Sequence, residues 1–403
     1  MTVQSDSAIH LPKGFTFSAL AAGIKASGRP DLALVEAAPG TAASALFTRN
    51  LVVAAPVEVG RVHLSRARGR IRAVIVNSGN ANCATGTAGL RACRQVCERV
   101  AKKLGICPEQ VLPSSTGIIG VPLPSGKIIA KLPELIAGRE PTPAAFDRFA
   151  RAIMTTDTRK KSASAGFSAG GSDVKLLGVA KGSGMIHPQL ATMLVYLFTD
   201  VAATSVELKP LLRDACDHSF DSISVDGDTS TNDTVLLLAS GQSGIRLTEA
   251  GVRKKFAKAL SEVCQSLAEQ IVADGEGVQH VIHLSIEEVK NRHEGLQVAR
   301  AIAHSLLVKT AWAGTDPNWG RILAAVGRSG INLNPRRVNI YIGDQMVCKG
   351  GAGCQFDEAK AHQALEQPNC DIRVRLGRGR GRVAFITCDL TAEYVRINAD
   401  YST

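Results

Sequence analysis

Aromatic side chains are scarce in this chain: Phe, Tyr and Trp together make up 4% of its 403 residues. Proteins that thread single-stranded nucleic acid use rings as stacking platforms, so the scarcity counts against that class. Long apolar runs are missing as well. The longest, Ala191 to Ala203, is broken by Thr199 and Asp200 and is too short to cross a bilayer. The ten cysteines contain no CxxC pair, which removes the usual zinc and dithiol patterns, and ten thiols in a chain of this length make no disulfide framework. Cys93 and Cys97 share one apolar helix face with Leu90, Val100 and Leu104 and read as buried thiols. The N-terminus, MTVQSDSAIHLPKGF, has no basic region followed by an apolar one; no secretory signal is read there, and a soluble cytoplasmic protein is expected.

What is present has the composition of a globular protein, 45% hydrophobic and 21% charged, long enough for two or three domains. Lys and Arg outnumber Asp and Glu by 47 to 36, a net charge of +11 that fits nucleic acid or small anionic substrates. Short β-branched runs alternate with helical patterns, which predicts a mixed α and β fold. The expected strands are Ile71 to Val76, Met193 to Phe198, Thr234 to Ala239, Val338 to Ile342 and Val383 to Thr387. The expected helices are Leu90 to Leu104, closed by Gly105, then Val252 to Ile271 and Ile286 to Leu307. Between them, Lys160 to Gly184 is rich in Gly, Ser and Ala; it reads as a linker or a closely approaching loop in which only LLGVA could form a strand.

Several patterns imitate known sites. Gly166-Phe167-Ser168-Ala169-Gly170 fits a nucleophile elbow, but no buried strand precedes it and no helix follows. Asp226, Asp228 and Ser230 open like a calcium loop, yet Thr231 stands where Gly is required and Leu237 where Glu is required, so a tight polar turn before a strand is expected. His280 and His283 have no ligand-spaced partner and read as core or edge histidines. Arg373, Arg375, Arg378, Arg380 and Arg382, the last three spaced by glycines, could follow a phosphate backbone, but their place between two strand-like runs predicts a solvated hairpin loop. In KGSGMIHPQLATML (181 to 194), Thr192 stands at the head of an apolar strand. A hydroxyl needs a neighbouring base to act as a nucleophile, and an N-terminal threonine supplies one in its own α-amine, which titrates near pH 8.

That segment resembles the self-cleavage site of the ornithine acetyltransferase family, bifunctional arginine-biosynthesis proteins. The resemblance extends in order through IVNSGNANCATG (75 to 86), SSTGIIG (114 to 120), MTTDT (154 to 158), SVDGDTSTNDT (224 to 234), DGEG (274 to 277), the run from Ser305 to Gly327 and the C-terminal EYVRINADYST (393 to 403). It implies a four-layer αββα sandwich over residues 1 to 285 that carries an N-terminal-threonine nucleophile. A smaller α/β domain over 286 to 403 would follow, its tail returning to the site. Cleavage between Ala191 and Thr192 would give an α chain, 1 to 191, and a β chain, 192 to 403, assembling as two of each.

By the same resemblance Thr192 is the nucleophile, and Thr116 and Gly117 form the oxyanion hole, where losing one donor costs roughly 3 kcal/mol. Thr155, Lys181, Thr192, Glu276, Asn398 and Thr403 bind substrate, with Thr156 the alternative to Thr155. Lys181 suits a carboxylate and Glu276 an ammonium. The implied reaction is ping-pong transfer of acetyl from N2-acetyl-L-ornithine to L-glutamate, with no metal or organic cofactor and with neither nucleic acid nor membrane as partner; acetyl-CoA is a second donor in some members. Cys83, Gln189-Leu190 and the basic RGRGR run depart from the family pattern without touching a mapped catalytic position. A self-processing aminopeptidase or amidase of similar fold, and a basic nucleic-acid-binding protein, are the competing readings.

Overall fold

The computed structural model describes residues 10–187 and 193–400. Two sheets stack face to face between two helical layers. The first sheet joins β1 (Phe15–Leu20), β2 (Leu32–Ala37), β4 (Ala73–Asn80) and β5 (Val111–Ile118), in that order. The second joins β3 (Ala42–Phe47), β9 (Thr234–Ala239), β8 (Leu194–Thr199), β7 (Ser172–Lys181) and β6 (Lys161–Ala169). Successive side chains on a strand point to opposite faces, and β8 shows the consequence. Leu194, Tyr196 and Phe198 enter the core between the sheets with Phe17, Val35 and Val74, whereas Val195 and Leu197 face outward. A strand buried on both faces reads as an unbroken apolar run, which is why LVYLF is legible as a strand.

Helices α1 (Ala55–Arg66), α2 (Gly86–Leu104) and α3 (Ser125–Ala137) cover the outer face of the first sheet, where Cys93 and Cys97 are buried with Ile75 and Leu132. Helices α5 (Ser205–Asp217) and α6 (Val252–Ala273) cover the second. Helix α4 (Pro143–Ala152) places Phe146 and Phe149 edge-on against Phe17 in the core between the sheets. The four-layer αββα sandwich is therefore observed. As expected, α2 ends at Gly105, which takes the left-handed conformation with φ 66°.

A third sheet follows: β13 (Ala352–Gly353), β12 (Gln345–Lys349), β11 (Asn339–Ile342), β14 (Asn369–Arg375), β10 (Val281–Val289) and β15 (Gly381–Cys388). Helices α7 (Arg292–Ala303), α8 (Leu306–Ala313), α9 (Trp319–Gly327) and α10 (Glu358–Leu365) bury its apolar face, and α11 (Ala392–Asp400) ends the described chain.

Three expectations are corrected. The single helix from Ile286 to Leu307 does not exist: Ile282, Leu284 and Ile286 alternate inward on β10, so residue 285 lies mid-strand, and α7 starts only where the Asn291 side chain accepts from the Glu294 N–H at 3.0 Å. The stretch from Lys160 to Gly184 is neither linker nor loop but the β6–β7 hairpin. Gly170 and Gly171, at φ 55° and 77°, form its two-residue turn, a conformation that suits the strand twist and favours glycine. The strands are legible only poorly because their residues are small where α6 lies close upon them. Finally, the arginine run is no hairpin loop. β14 and β15 flank β10 on opposite sides, so residues 376–380 arch over its end, and the Arg378 and Gly379 N–H groups donate to the Glu288 carbonyl at 2.8 and 2.9 Å.

Candidate active site

One end of the sandwich gathers the ends of β5 and β7 and the beginnings of β8 and β9. A cavity of about 400 Å³ opens there, lined by Thr116, Gly117, Thr155, Lys181, Glu276 and Asn398. These residues come from five separate segments of the sequence. Thr156, Met185, Asp226, Asp228, Thr229 and Tyr394 share the lining. Ala191, Thr192 and Thr403 lie outside the described residues. Met193, next in sequence to Thr192, is buried and donates its N–H to Asp233 at 2.8 Å.

Thr116 and Gly117 stand near the end of β5, where the parallel ladder with β4 shifts register. Gly117 has φ 129°, and a Cβ there would come within 2.4 Å of the Gly79 carbonyl carbon, so no side chain fits. The Lys181 Nζ donates to the Thr116 Oγ1 at 3.1 Å. An ammonium has no acceptor, so this bond occupies a lone pair of Thr116 and leaves its own O–H to donate elsewhere, as an oxyanion requires. Burial holds the Lys181 ammonium below its ordinary range, against the opposing pull of the Asp157 carboxylate.

A second tier of charge lies behind the lining. Lys161 is fully buried, its Nζ 2.6 Å from Asp157 and 2.5 Å from Asp274. Asp157 also accepts from the backbone N–H of Thr155 at 3.0 Å and of Gly182 at 2.7 Å. Asp274, two residues before Glu276, accepts from the Thr158 N–H at 3.1 Å. One buried ammonium thus ties together three segments that present Thr155, Lys181 and Glu276. Burial alone would raise the Asp157 carboxyl, but Lys161 and Lys181 outweigh it and hold it at about 2. Lys25 donates to the Met154 carbonyl at 2.7 Å, and burial brings its ammonium down to about 8.

The C-terminal helix closes the other side. Asn398 Nδ2 donates to Glu276 at 2.8 Å, and the Tyr394 hydroxyl donates to Asp226 at 3.3 Å. Between the adjacent threonines, the Thr156 hydroxyl is engaged with the Ser183 hydroxyl at 2.7 Å, whereas Thr155 is anchored through its backbone. The cavity thereby offers an ammonium on one wall and the carboxylates of Glu276, Asp226 and Asp228 on another, a lining suited to an amino acid carrying both charges.

Of the patterns set aside from the sequence, Asp226 and Asp228 do line the cavity, whereas the serine and histidine patterns lie elsewhere. Ser168 donates to Asp173 at 2.6 Å on the exposed tip of the β6–β7 hairpin. His280 pairs with the buried Asp389 at 3.0 Å. Among the described residues no group of three or more His, Cys, Asp or Glu side chains could hold a metal ion, and no helix is long and apolar enough to cross a membrane. The sequence reading missed Lys161, Asp157, Asp274 and Tyr394. Asp157 and Asp274 stand inside quoted motifs, but nothing in the sequence pairs them with a lysine in a Ser/Ala run.

The ArgJ family model matches residues 16–403. A protein of Methylococcus capsulatus named arginine biosynthesis bifunctional protein ArgJ is 45% identical over 394 residues, which covers 97% of this chain and 95% of that one. Among solved structures, arginine biosynthesis bifunctional protein argJ from Bacillus halodurans is 40% identical over 51% of this chain and 98% of its own, with a TM-score of 0.49. Ornithine acetyltransferase from Mycobacterium tuberculosis, complexed with ornithine, is 38% identical over 44% of this chain and 92% of its own, with a TM-score of 0.41.

Proposed function

The chain belongs to the ArgJ family, and on that premise we propose that it is an acetyltransferase of arginine biosynthesis, moving acetyl from N2-acetyl-L-ornithine to L-glutamate on Thr192. The precursor first cuts itself between Ala191 and Thr192. The Thr192 hydroxyl adds to the Ala191 carbonyl, the peptide becomes an ester, and water releases two chains, 1–191 and 192–403. The freed α-amine then serves as the base that a threonine hydroxyl otherwise lacks.

In the first half-reaction Thr192 Oγ attacks the acetyl carbonyl of N2-acetylornithine and its proton passes to the α-amine. The Thr116 hydroxyl and the Gly117 N–H receive the negative charge that develops on the carbonyl oxygen. The tetrahedral intermediate collapses, ornithine leaves with the proton, and acetyl remains as an ester on Thr192. Glutamate's amine then attacks that ester, giving N-acetylglutamate and the free hydroxyl. Lys181 takes a substrate carboxylate, while Glu276, held by Asn398, takes an ammonium, and Thr155 with Thr403 completes the lining. Because acetyl travels on the protein, the scheme calls for no metal or organic cofactor; acetyl-CoA would enter only as an alternative donor. Two α and two β chains make up the expected assembly.

The observation that supports this reading best is the convergence of Thr116, Gly117, Thr155, Lys181, Glu276 and Asn398 on one cavity beside Met193. The test is acetyl transfer with the purified protein. N2-acetylornithine and glutamate should yield ornithine and N-acetylglutamate one for one, while Thr192→Ala stays a single 42.4 kDa chain and transfers nothing. Release of acetate to water at a comparable rate would instead identify the aminopeptidase or amidase alternative.

A further inference from the structure

The two described shoulders of the cleavage segment are gripped by one loop. Upstream, the N–H groups of Met185 and Ile186 donate to the two oxygens of the Asp226 carboxylate, at 2.6 and 2.9 Å. The Ile186 carbonyl accepts from the Val225 N–H and the Ser224 hydroxyl, both at 3.0 Å. Downstream, Asp233 accepts the Met193 N–H at 2.8 Å, and the Thr234 N–H returns to the Met193 carbonyl at 3.1 Å. Ser224 to Thr234 therefore holds the backbone on both sides, through an aspartate at each end.

Two features mark this grip as more than an ordinary turn. Met185 lies at φ 53°, a left-handed conformation that costs an unbranched residue of order 1 kcal/mol or more and persists only where its surroundings impose it. Both carboxyls are also costly to bury: burial pushes Asp226 up to about 6, and it pushes Asp233 well above the usual carboxylate range even against the pull of the Lys181 ammonium. Packing alone would be served better by apolar residues. What the aspartates provide is acceptors for the three N–H groups of the shoulders, those of Met185, Ile186 and Met193.

We infer that Asp226 and Asp233 are positioning residues for self-cleavage, fixing the backbone on either side of the Ala191–Thr192 bond so that the threonine hydroxyl meets the preceding carbonyl. The inference rests on the self-cleavage proposed above. Addition of a hydroxyl to its own preceding carbonyl depends on alignment, and a misplacement of about 1 Å can cost on the order of a hundredfold in rate. Neither aspartate exchanges a proton with the reacting atoms in this scheme; each acts through the chain it holds.

The chemistry of the grips predicts a graded response. Asp226 accepts on both oxygens, from Met185 and the Tyr394 hydroxyl on one and from Ile186 and Asp228 on the other, so in Asp226→Asn the amide NH2 must face a backbone N–H donor of the grip on either side. Asp233 holds Met193 through one oxygen, so Asp233→Asn keeps that acceptor. In freshly synthesised full-length chain followed by intact mass, Asp226→Asn should slow cleavage at least about tenfold, whereas Asp233→Asn should cleave within about threefold of wild type. Asp233→Ala, which has no acceptor, should slow it at least about tenfold. Hydroxylamine, which cleaves esters and not peptides, should release less product from the slowed variants because less ester forms. Thermal unfolding of the same samples guards against a merely structural effect.

Cleavage of Asp226→Asn and Asp233→Ala at the wild-type rate would overturn the inference, as would a loss that follows Tm alone across the three variants. A wild-type chain that never cleaves would instead overturn the self-processing reading itself.

Discussion

Two clusters of paired charge teach opposite lessons about what ion pairs do in this molecule. Behind the cavity, the Lys161 ammonium sits with no solvent exposure between Asp157 and Asp274. At the far end of β10, Arg375 and Arg378 pair with Glu288 and Glu294 over a strand end that water reaches. The inner pair is expensive to build, because taking three charges from water costs several kcal/mol per ion, and it is tolerable only with near-complete hydrogen bonding. It obtains that bonding from the backbone of Thr155, Gly182 and Thr158, the segments that shape the cavity. The outer cluster fixes how one connection crosses one strand and touches no cavity residue. Burial, rather than the number of charges, separates an ion pair that organises a site from one that trims a surface.

The largest expected effect is at the centre of the inner cluster. Lys161→Met leaves two buried carboxylates without the ammonium that bridges them and should cost about 3–5 kcal/mol in urea unfolding. Lys161→Arg should fail to restore transfer activity, because a forked guanidinium does not fit where an ammonium makes contacts of 2.5 and 2.6 Å. Full stability in Lys161→Met would erase the contrast between the clusters.

The next effect is read through pH. The Asp157 carboxyl titrates at about 2, below the ordinary 3.8, so its contribution to stability is complete above about pH 4 and is lost as pH falls from 4 through 2. Wild type should lose about 2 kcal/mol more than Asp157→Asn across that window. Parallel loss in the two proteins would show that the inner pair is not held in its charged form.

The same contrast explains what could be read from the sequence. Apolar periodicity carries the sandwich: LVYLF on β8 and the α6 stripe from Val252 to Ile271 point correctly to buried elements, since each packs on a continuous apolar surface. β6 escapes that signal, because small residues such as Ser162, Ala163 and Ser164 leave room for α6 and carry little hydrophobic pattern, whereas LLGVA, the one strand-like run expected there, lies in β7. Within the site, residues embedded in dense motifs, such as Thr116 in SSTGIIG, are legible, and they do line the cavity. Lys161 is not legible. Its partner Asp274 is 113 residues away, and only the fold brings a lysine from a Ser/Ala run against an aspartate from DGEG. The arginine run is conspicuous in sequence for the opposite reason, since glycine-spaced charge stands out locally while its role depends on which strands it joins.

The smallest effects belong to that run. The Arg378 side chain lies 2.8 Å from Glu294, and the two are 17% and 10% exposed, so the pair is shielded better than most surface pairs. Arg378→Ala should cost about 1 kcal/mol, at the top of the range for such contacts, and leave acetyl transfer unchanged. Arg380, exposed on the same arch, should change stability by less than about 0.5 kcal/mol on replacement by Ala. The comparison is decided by where these variants register. A loss of transfer in Arg378→Ala at unchanged Tm would mean that the arch communicates with the cavity through β10, and the division between a site-forming and a surface cluster would have to be abandoned. Loss of Tm alone, with intact transfer, keeps the arch as a strand-end clamp.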